Sequence, residues 1–396
     1  MKMHLSWFLV ALGVPTAFAE DWPHWRGPAF DGISQEALPA ELPDELPVLW
    51  RAQVGIGFST VSVTGDRVFT MGNTDEKDTV WCLDAKTGEV IWEHTYDCEL
   101  DPLYYEGGPS ATPTIHNGAV FTLSKKGHAF CLDLESGDVT WSRDLIADYG
   151  FELPEWSFAS SAFIDGDLVL LNVGREGLAL DKTTGKTVWK SSTETAGYAT
   201  VVPFAKSERL LFSADSLLSL DGQSGKKLWE YPWRSNRDVN AADPVVNDRR
   251  ILISSNAGGM MIEVNPETRE VEEVWENKNL KWHFNAGVMV GGHIYSINGT
   301  THRPTELTCT DAKTGETLWA EEGFGNGALM AADSGKTLIL FDKGELTIFE
   351  TTPDGFSPRL RQQILQGKCW TVPVFANGQI YCRSAEGELV AVGVEK

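Results

Sequence analysis

No G-x-S-x-G, H-E-x-x-H or EF-hand loop occurs in the 396 residues, so hydrolase, zinc-protease and calcium-sensor chemistry have no positive support. Basic residues are scarce. Lys and Arg number 33 against 56 Asp and Glu, a formal net charge of −23, which argues against binding nucleic acid or an anionic membrane surface. The six cysteines, Cys82, Cys98, Cys131, Cys309, Cys369 and Cys382, include no adjacent pair and no C-x-x-C. Spacing therefore assigns neither pairing nor metal binding, although an even number in an exported chain permits disulfides. Most read as small buried side chains. No run beyond the N-terminal segment is apolar and long enough to span a bilayer.

That first segment is distinctive. Lys2 gives a short basic start, Leu5 to Val14 an apolar core, and Ala17-Phe18-Ala19 a small-x-small site before Glu20. Residues 1–19 read as a cleavable signal peptide, which predicts a periplasmic or secreted protein beginning at Glu20. No cysteine follows the core for lipid attachment. Loss of Lys2 takes the net charge from −23 to −24, and such an acidic surface serves solubility first.

One phrase recurs along the rest of the chain. It runs from Asp84 through Gly88 to Trp92, from Asp133 through Gly137 to Trp141, from Asp181 through Gly185 to Trp189 and from Asp221 through Gly225 to Trp229. A degraded copy ends at Trp275, and a clean one runs from Asp311 through Gly315 to Trp319. The Asp or Asn positions lie 49, 48, 40, 44 and 46 residues apart, a period expected of propeller blades. In D-x-x-T-G the Asp accepts from nearby backbone N–H groups and the Gly takes a left-handed conformation, a hairpin joining the third and fourth strands. The Trp supplies apolar area between blades.

Upstream of each phrase lies a second turn, at Gly65, Asn117, Gly166, Asn247, Gly291, Ser334 and Asn377, with a poorer copy at Lys206-Ser207-Glu208. Eight such turns predict an all-β, eight-bladed propeller of four-stranded antiparallel blades over residues 49–396, preceded by an arm at 20–48. The last blade has only three strands, and Val48 to Val54 is a lone strand bearing Trp50. Pairing the two would close the ring and remove an open sheet edge.

The pattern Ala179-Leu180-Asp181 to Trp189 and its copies resemble the repeats of the PQQ-like (pyrroloquinoline quinone) superfamily, which includes quinoprotein alcohol dehydrogenases and a propeller lipoprotein of the outer-membrane barrel-assembly machinery. The resemblance covers about residues 49 to 396. The opening Asp21-Trp22-Pro23-His24-Trp25-Arg26-Gly27-Pro28 is similar to the start of many exported repeat proteins of this kind, and reads as an arm packed on the propeller. A PQQ dehydrogenase, by resemblance, holds its quinone on the propeller axis with Ca²⁺, a catalytic Asp, a stacking Trp and typically a vicinal disulfide. This chain has no adjacent cysteines and no haem-attachment C-x-x-C-H, and no residue matches that would assign metal ligands or the catalytic Asp.

A ligand site is expected at the channel mouth, in the loops entering each innermost strand. Candidates there are Tyr105, Glu106, Trp156, Tyr198, Arg237, Asn240, Trp282, His283, Asn285, Asn326 and Trp370. Rings mixed with amides and single charges suit a planar or sugar-like ligand or a peptide segment. Channel packing is the plain alternative for the same residues. His283, Asn285 and Glu106 could meet at a metal only if folding joined them, and no metal or cofactor is expected. The first reading is a non-catalytic scaffold for a protein or glycan partner. The second is a reduced PQQ- and Ca²⁺-dependent oxidoreductase acting on alcohols or sugars, with Trp156, Trp282 or Trp370 as the stacking ring. If Trp141 is buried between blades and Trp282 lines a site, only loss of Trp141 should destabilise the fold strongly.

Overall fold

A computed structural model describes residues 20–301 and 304–394; the expected signal peptide, residues 1–19, lies outside them. Each expected turn joins strands as its chemistry dictates. In the second unit, for example, Thr114–His116, Ala119–Leu123, His128–Asp133 and Val139–Asp144 form an antiparallel sheet in sequence order. Eight such units make an eight-bladed propeller, in which the first strand of a blade is innermost and the fourth outermost. The fourth unit also folds as a blade, Val202–Pro203 pairing with Glu208–Phe212 across the poorer turn.

The last blade has strands Val374–Ala376, Gln379–Arg383 and Glu388–Gly393, and Val48–Gln53 supplies its outermost strand, Trp50 lying opposite Ala391. That antiparallel pairing closes the ring. Deep in the seam, the Arg383 guanidinium donates to the carbonyls of Ser59 at 2.6 Å, Met71 at 2.5 Å and Gly55 at 2.9 Å. The last blade is thereby tied to the first.

The repeat works between blades as well as within them. The Asp84 carboxylate accepts from the N–H groups of Lys86 and Thr87 at 2.9 and 2.8 Å. Hydrogen bonds from the residue three positions on hold Asp84, Asp133, Asp181, Asp221 and Asp311 below the usual carboxylate range. Five of the outer-strand tryptophans then lie on the turn of the following blade and donate the indole N–H to the carbonyl just after the repeat Asp. Trp50 reaches Ala85 at 2.8 Å, Trp92 reaches Leu134 at 2.9 Å, Trp141 reaches Lys182 at 2.8 Å, Trp189 reaches Gly222 at 3.0 Å and Trp275 reaches Ala312 at 3.1 Å. All six cysteines are buried and unpaired. Burial pushes the Cys82 thiol up to about 12.

The N-terminal arm closes one end of the channel. Trp22 forms a bridge with Val63 in the first blade, and Pro23 accepts from the Ile115 N–H in the second. Phe30 packs on Phe163 in the third, and Arg26 donates to the Gly287 carbonyl of the sixth at 3.0 Å. Ile33–Ser34 adds a parallel fifth strand to the seventh blade. The Glu36 carboxylate accepts from the N–H groups of Asn377 and Gly378 at 2.5 and 2.9 Å, in the inner turn of the eighth. The arm therefore crosses the turn face of the ring, and the other face stays open.

Candidate functional site

The open face is built by the loops that run from one blade to the innermost strand of the next. They enclose a cavity of about 1030 Å³. Phe58 precedes the first blade, Tyr104 and Tyr105 the second, Trp156 the third, Tyr198 the fourth, Arg237 and Asp243 the fifth, His283-Phe284-Asn285 the sixth, and Trp370 the eighth, and all of them line it. On one side the Phe58 ring lies 5.5 Å from Tyr105 and 5.7 Å from Trp370, and Phe284 stacks on Trp370 at 5.1 Å. Trp156 and Tyr198, 6.2 Å apart, form a second wall. The Asn285 amide donates to the Trp370 carbonyl at 2.9 Å, so the sixth and eighth loops meet across the seventh.

The backbone of these loops is strained. Asp101, Tyr104, Ser157, Arg237 and Asp238 all have φ between 49 and 65°, a region costly for side chains other than glycine and concentrated at functional sites. Tyr104 is 82% exposed at the rim, so its own burial does not compensate.

The far end of the cavity is Trp25 of the arm, whose indole N–H donates to Asp243 Oδ2 at 2.5 Å. Asp243 ends a belt of hydrogen bonds around the channel. The Thr60 N–H donates to Thr112 Oγ1 at 3.3 Å, the Thr112 N–H to Ser161 Oγ at 2.9 Å, the Ser161 N–H to Thr200 Oγ1 at 3.1 Å, and the Thr200 N–H to Asp243 Oδ1 at 2.7 Å. Every member stands two residues before its innermost strand. Burial raises the Asp243 carboxyl to about 6, opposed by the nearby Arg26 guanidinium and by its N–H donors. Arg26 is itself buried, and desolvation lowers its pKa.

Seven expected residues come together here: Tyr105, Trp156, Tyr198, Arg237, His283, Asn285 and Trp370. Four do not. Trp282 is fully buried in the core shared by the fifth and sixth blades, beside Leu252 and Ile294, so it packs blades and presents no ring to the cavity. Asn240 is also buried, its amide donating to the carbonyls of Ser213 and Ala214 at 2.8 and 3.1 Å, which pins its loop. Glu106 pairs with Lys368 at 2.8 Å, behind the Trp370 ring that Lys368 covers. Asn326 lies in the seventh loop, outside the lining. Neither Trp25 nor Asp243 was expected, since the arm is far away in sequence.

Comparison with known proteins places this architecture. The sequence model described as "Outer membrane protein assembly factor BamB" matches residues 47–144 and 105–321, most of the chain. The chain belongs to that family. Among curated BamB proteins, that of Salmonella typhimurium is 31% identical over 111 residues, 26% of this chain and 25% of that protein. A polyvinylalcohol dehydrogenase from Sphingopyxis sp. is 27% identical over 200 residues, 44% of this chain and 29% of that enzyme. The matches thus span between a quarter and a third of the length of these curated relatives. In fold, BamB from Moraxella catarrhalis superposes with a TM-score of 0.65 at 16% identity, covering 88% of this chain and 98% of that one. The quinohemoprotein alcohol dehydrogenase from Comamonas testosteroni gives 0.70 at 13% identity, covering 94% and 80%. The BamB-type repeat is therefore shared by an assembly factor and by enzymes, and only the cavity can separate them.

The cavity fits calcium poorly. Ca²⁺ takes six to eight oxygens, carboxylates prominent among them. Asp243 is the lone carboxylate among the described lining residues, where that donor set calls for several. Among the described residues no three His, Cys, Asp or Glu side chains are grouped to hold a metal.

Proposed function

We propose that this BamB-family chain is an exported, non-catalytic binding scaffold that holds a partner in the cup at its channel mouth. One observation carries the reading. The N-terminal arm turns what would be a tunnel into a blind cup walled by aromatic rings, a form suited to binding and poor in groups for bond-making chemistry. The signal-like residues 1–19 support export to the periplasm or beyond. The family's assembly-factor members support a protein-holding role, and the matched polyvinylalcohol dehydrogenase supports the competing PQQ- and Ca²⁺-dependent reading.

The test is calorimetric titration of the mature protein with PQQ, with and without Ca²⁺, followed by a dye-linked alcohol oxidation assay. The expected result is neither Ca²⁺-dependent binding nor turnover. Tight binding with turnover overturns the scaffold reading.

A further inference from the structure

We infer that the ligand of the cup is a short neutral oligosaccharide, gripped between the Phe284–Trp370 wall and the Trp156–Tyr198 wall with its hydroxyls turned to the Asp243 floor. This rests on the binding-scaffold reading of the same cavity.

Charge narrows the class first. Arg237 is matched by Glu155 at 2.7 Å, and Lys368 by Glu106 at 2.8 Å, so the cations around the mouth already carry counter-ions. Lys281 adds one positive charge to the lining and Asp243 one carboxylate. A polyanion such as a nucleotide would call for a cluster of cations or a nest of backbone N–H groups. A polycation would call for several carboxylates. Neither set is present among the described lining residues.

The distribution of polar groups narrows it further. The walls carry aromatic rings, Phe284 stacked on Trp370 and Trp156 edge-on to Tyr198, and rings of this kind take the polarised C–H face of a pyranose. The floor bears Ser161, Thr200 and Asp243, and the Asn256 and Asn285 amides stand among the rings. Each Asp243 oxygen takes one N–H and keeps a second acceptor position. A carbohydrate needs both surfaces at once, apolar for its ring face and dense in acceptors for its rim. A flat aromatic ligand uses only the first. The volume, about 1030 Å³, exceeds what one sugar ring would fill.

The experiment is a screen of labelled mature protein on an array of neutral oligosaccharides, then calorimetry and tryptophan fluorescence on the strongest binder. Expected are saturable one-to-one binding, a fluorescence change, and about tenfold weakening by Trp370→Ala or Trp156→Ala. Val188→Thr on the outer rim should leave affinity unchanged. Asp243→Asn should weaken binding while a thermal melt shows the fold intact. An array without neutral hits overturns the carbohydrate. If an aromatic peptide of the Tyr-Trp type then binds in a Trp370-dependent manner, the scaffold stands with a protein ligand. PQQ turnover instead overturns the scaffold itself.

Discussion

The Trp141 indole lies flat on Gly185, forty-four residues away and one blade further round the ring. A β-carbon built at Gly185 would sit 2.7 Å from the indole, and the Gly185 φ is +65°. One glycine thus serves two needs, a left-handed turn within its own blade and a flat bed for the preceding blade's tryptophan. Gly185→Ala should cost about 2 to 4 kcal/mol, more than backbone strain alone, and Trp141→Ala about 3 to 5 kcal/mol. Denaturant unfolding of the two single variants and the double variant checks this; strict additivity would show that the contact is not shared.

The fifth blade departs from that rule. Arg269 stands where the other turns have glycine, with φ at +60°. Trp229 accordingly donates to Glu208 Oε2 at 3.3 Å, and Arg269 donates to Glu208 Oε1 at 2.9 Å. Arg269→Ala should destabilise by about 1 to 3 kcal/mol by leaving the buried Glu208 without its cation. Adding Glu208→Gln should recover part of the loss, readable as a coupling energy in a double-mutant cycle.

Trp282 and Trp370 stand two loops apart and should respond in opposite ways. Trp282→Ala empties a closed core and should cost about 3 to 5 kcal/mol. Trp370 is only partly buried at the mouth, and its replacement should change the melting temperature little while altering whatever the cup binds. Thermal melts separate the two, and equal losses would contradict the assignment.

Asp243 should make stability depend on pH between about 4 and 6. Its folded pKa, about 6, lies above the ordinary 3.8. The folded state therefore holds the proton more tightly, and the stabilisation is complete at low pH and lost as pH rises through 6. The magnitude is on the order of 2 to 3 kcal/mol. The repeat aspartates, with lowered values, act in the opposite sense and at lower pH. Asp243→Asn should flatten the dependence between pH 4 and 7, measured by denaturant unfolding at each pH.

Local chemistry made the fold legible. An Asp that caps its own turn, a Gly at positive φ and a Trp at fixed spacing act within a few residues, so eight blades and their closure through Val48–Gln53 follow from the repeat. The site was legible in part, because the loops entering the innermost strands can be counted from the turns, and seven of the eleven named residues line the cup. Side-chain direction within those loops was not legible. Trp282 and His283 are neighbours, yet one enters the core between blades and the other faces the cavity, a choice made by packing against residues of other blades. Asp243 left one trace, since Thr60, Thr112, Ser161 and Thr200 occupy the same place before their strands. Only the ring, however, brings Trp25 of the arm across 218 residues to that carboxylate. Periodic turn chemistry decided the architecture from the sequence alone, whereas the closed floor and the orientation of the cup depend on contacts between distant segments, which no local pattern encodes.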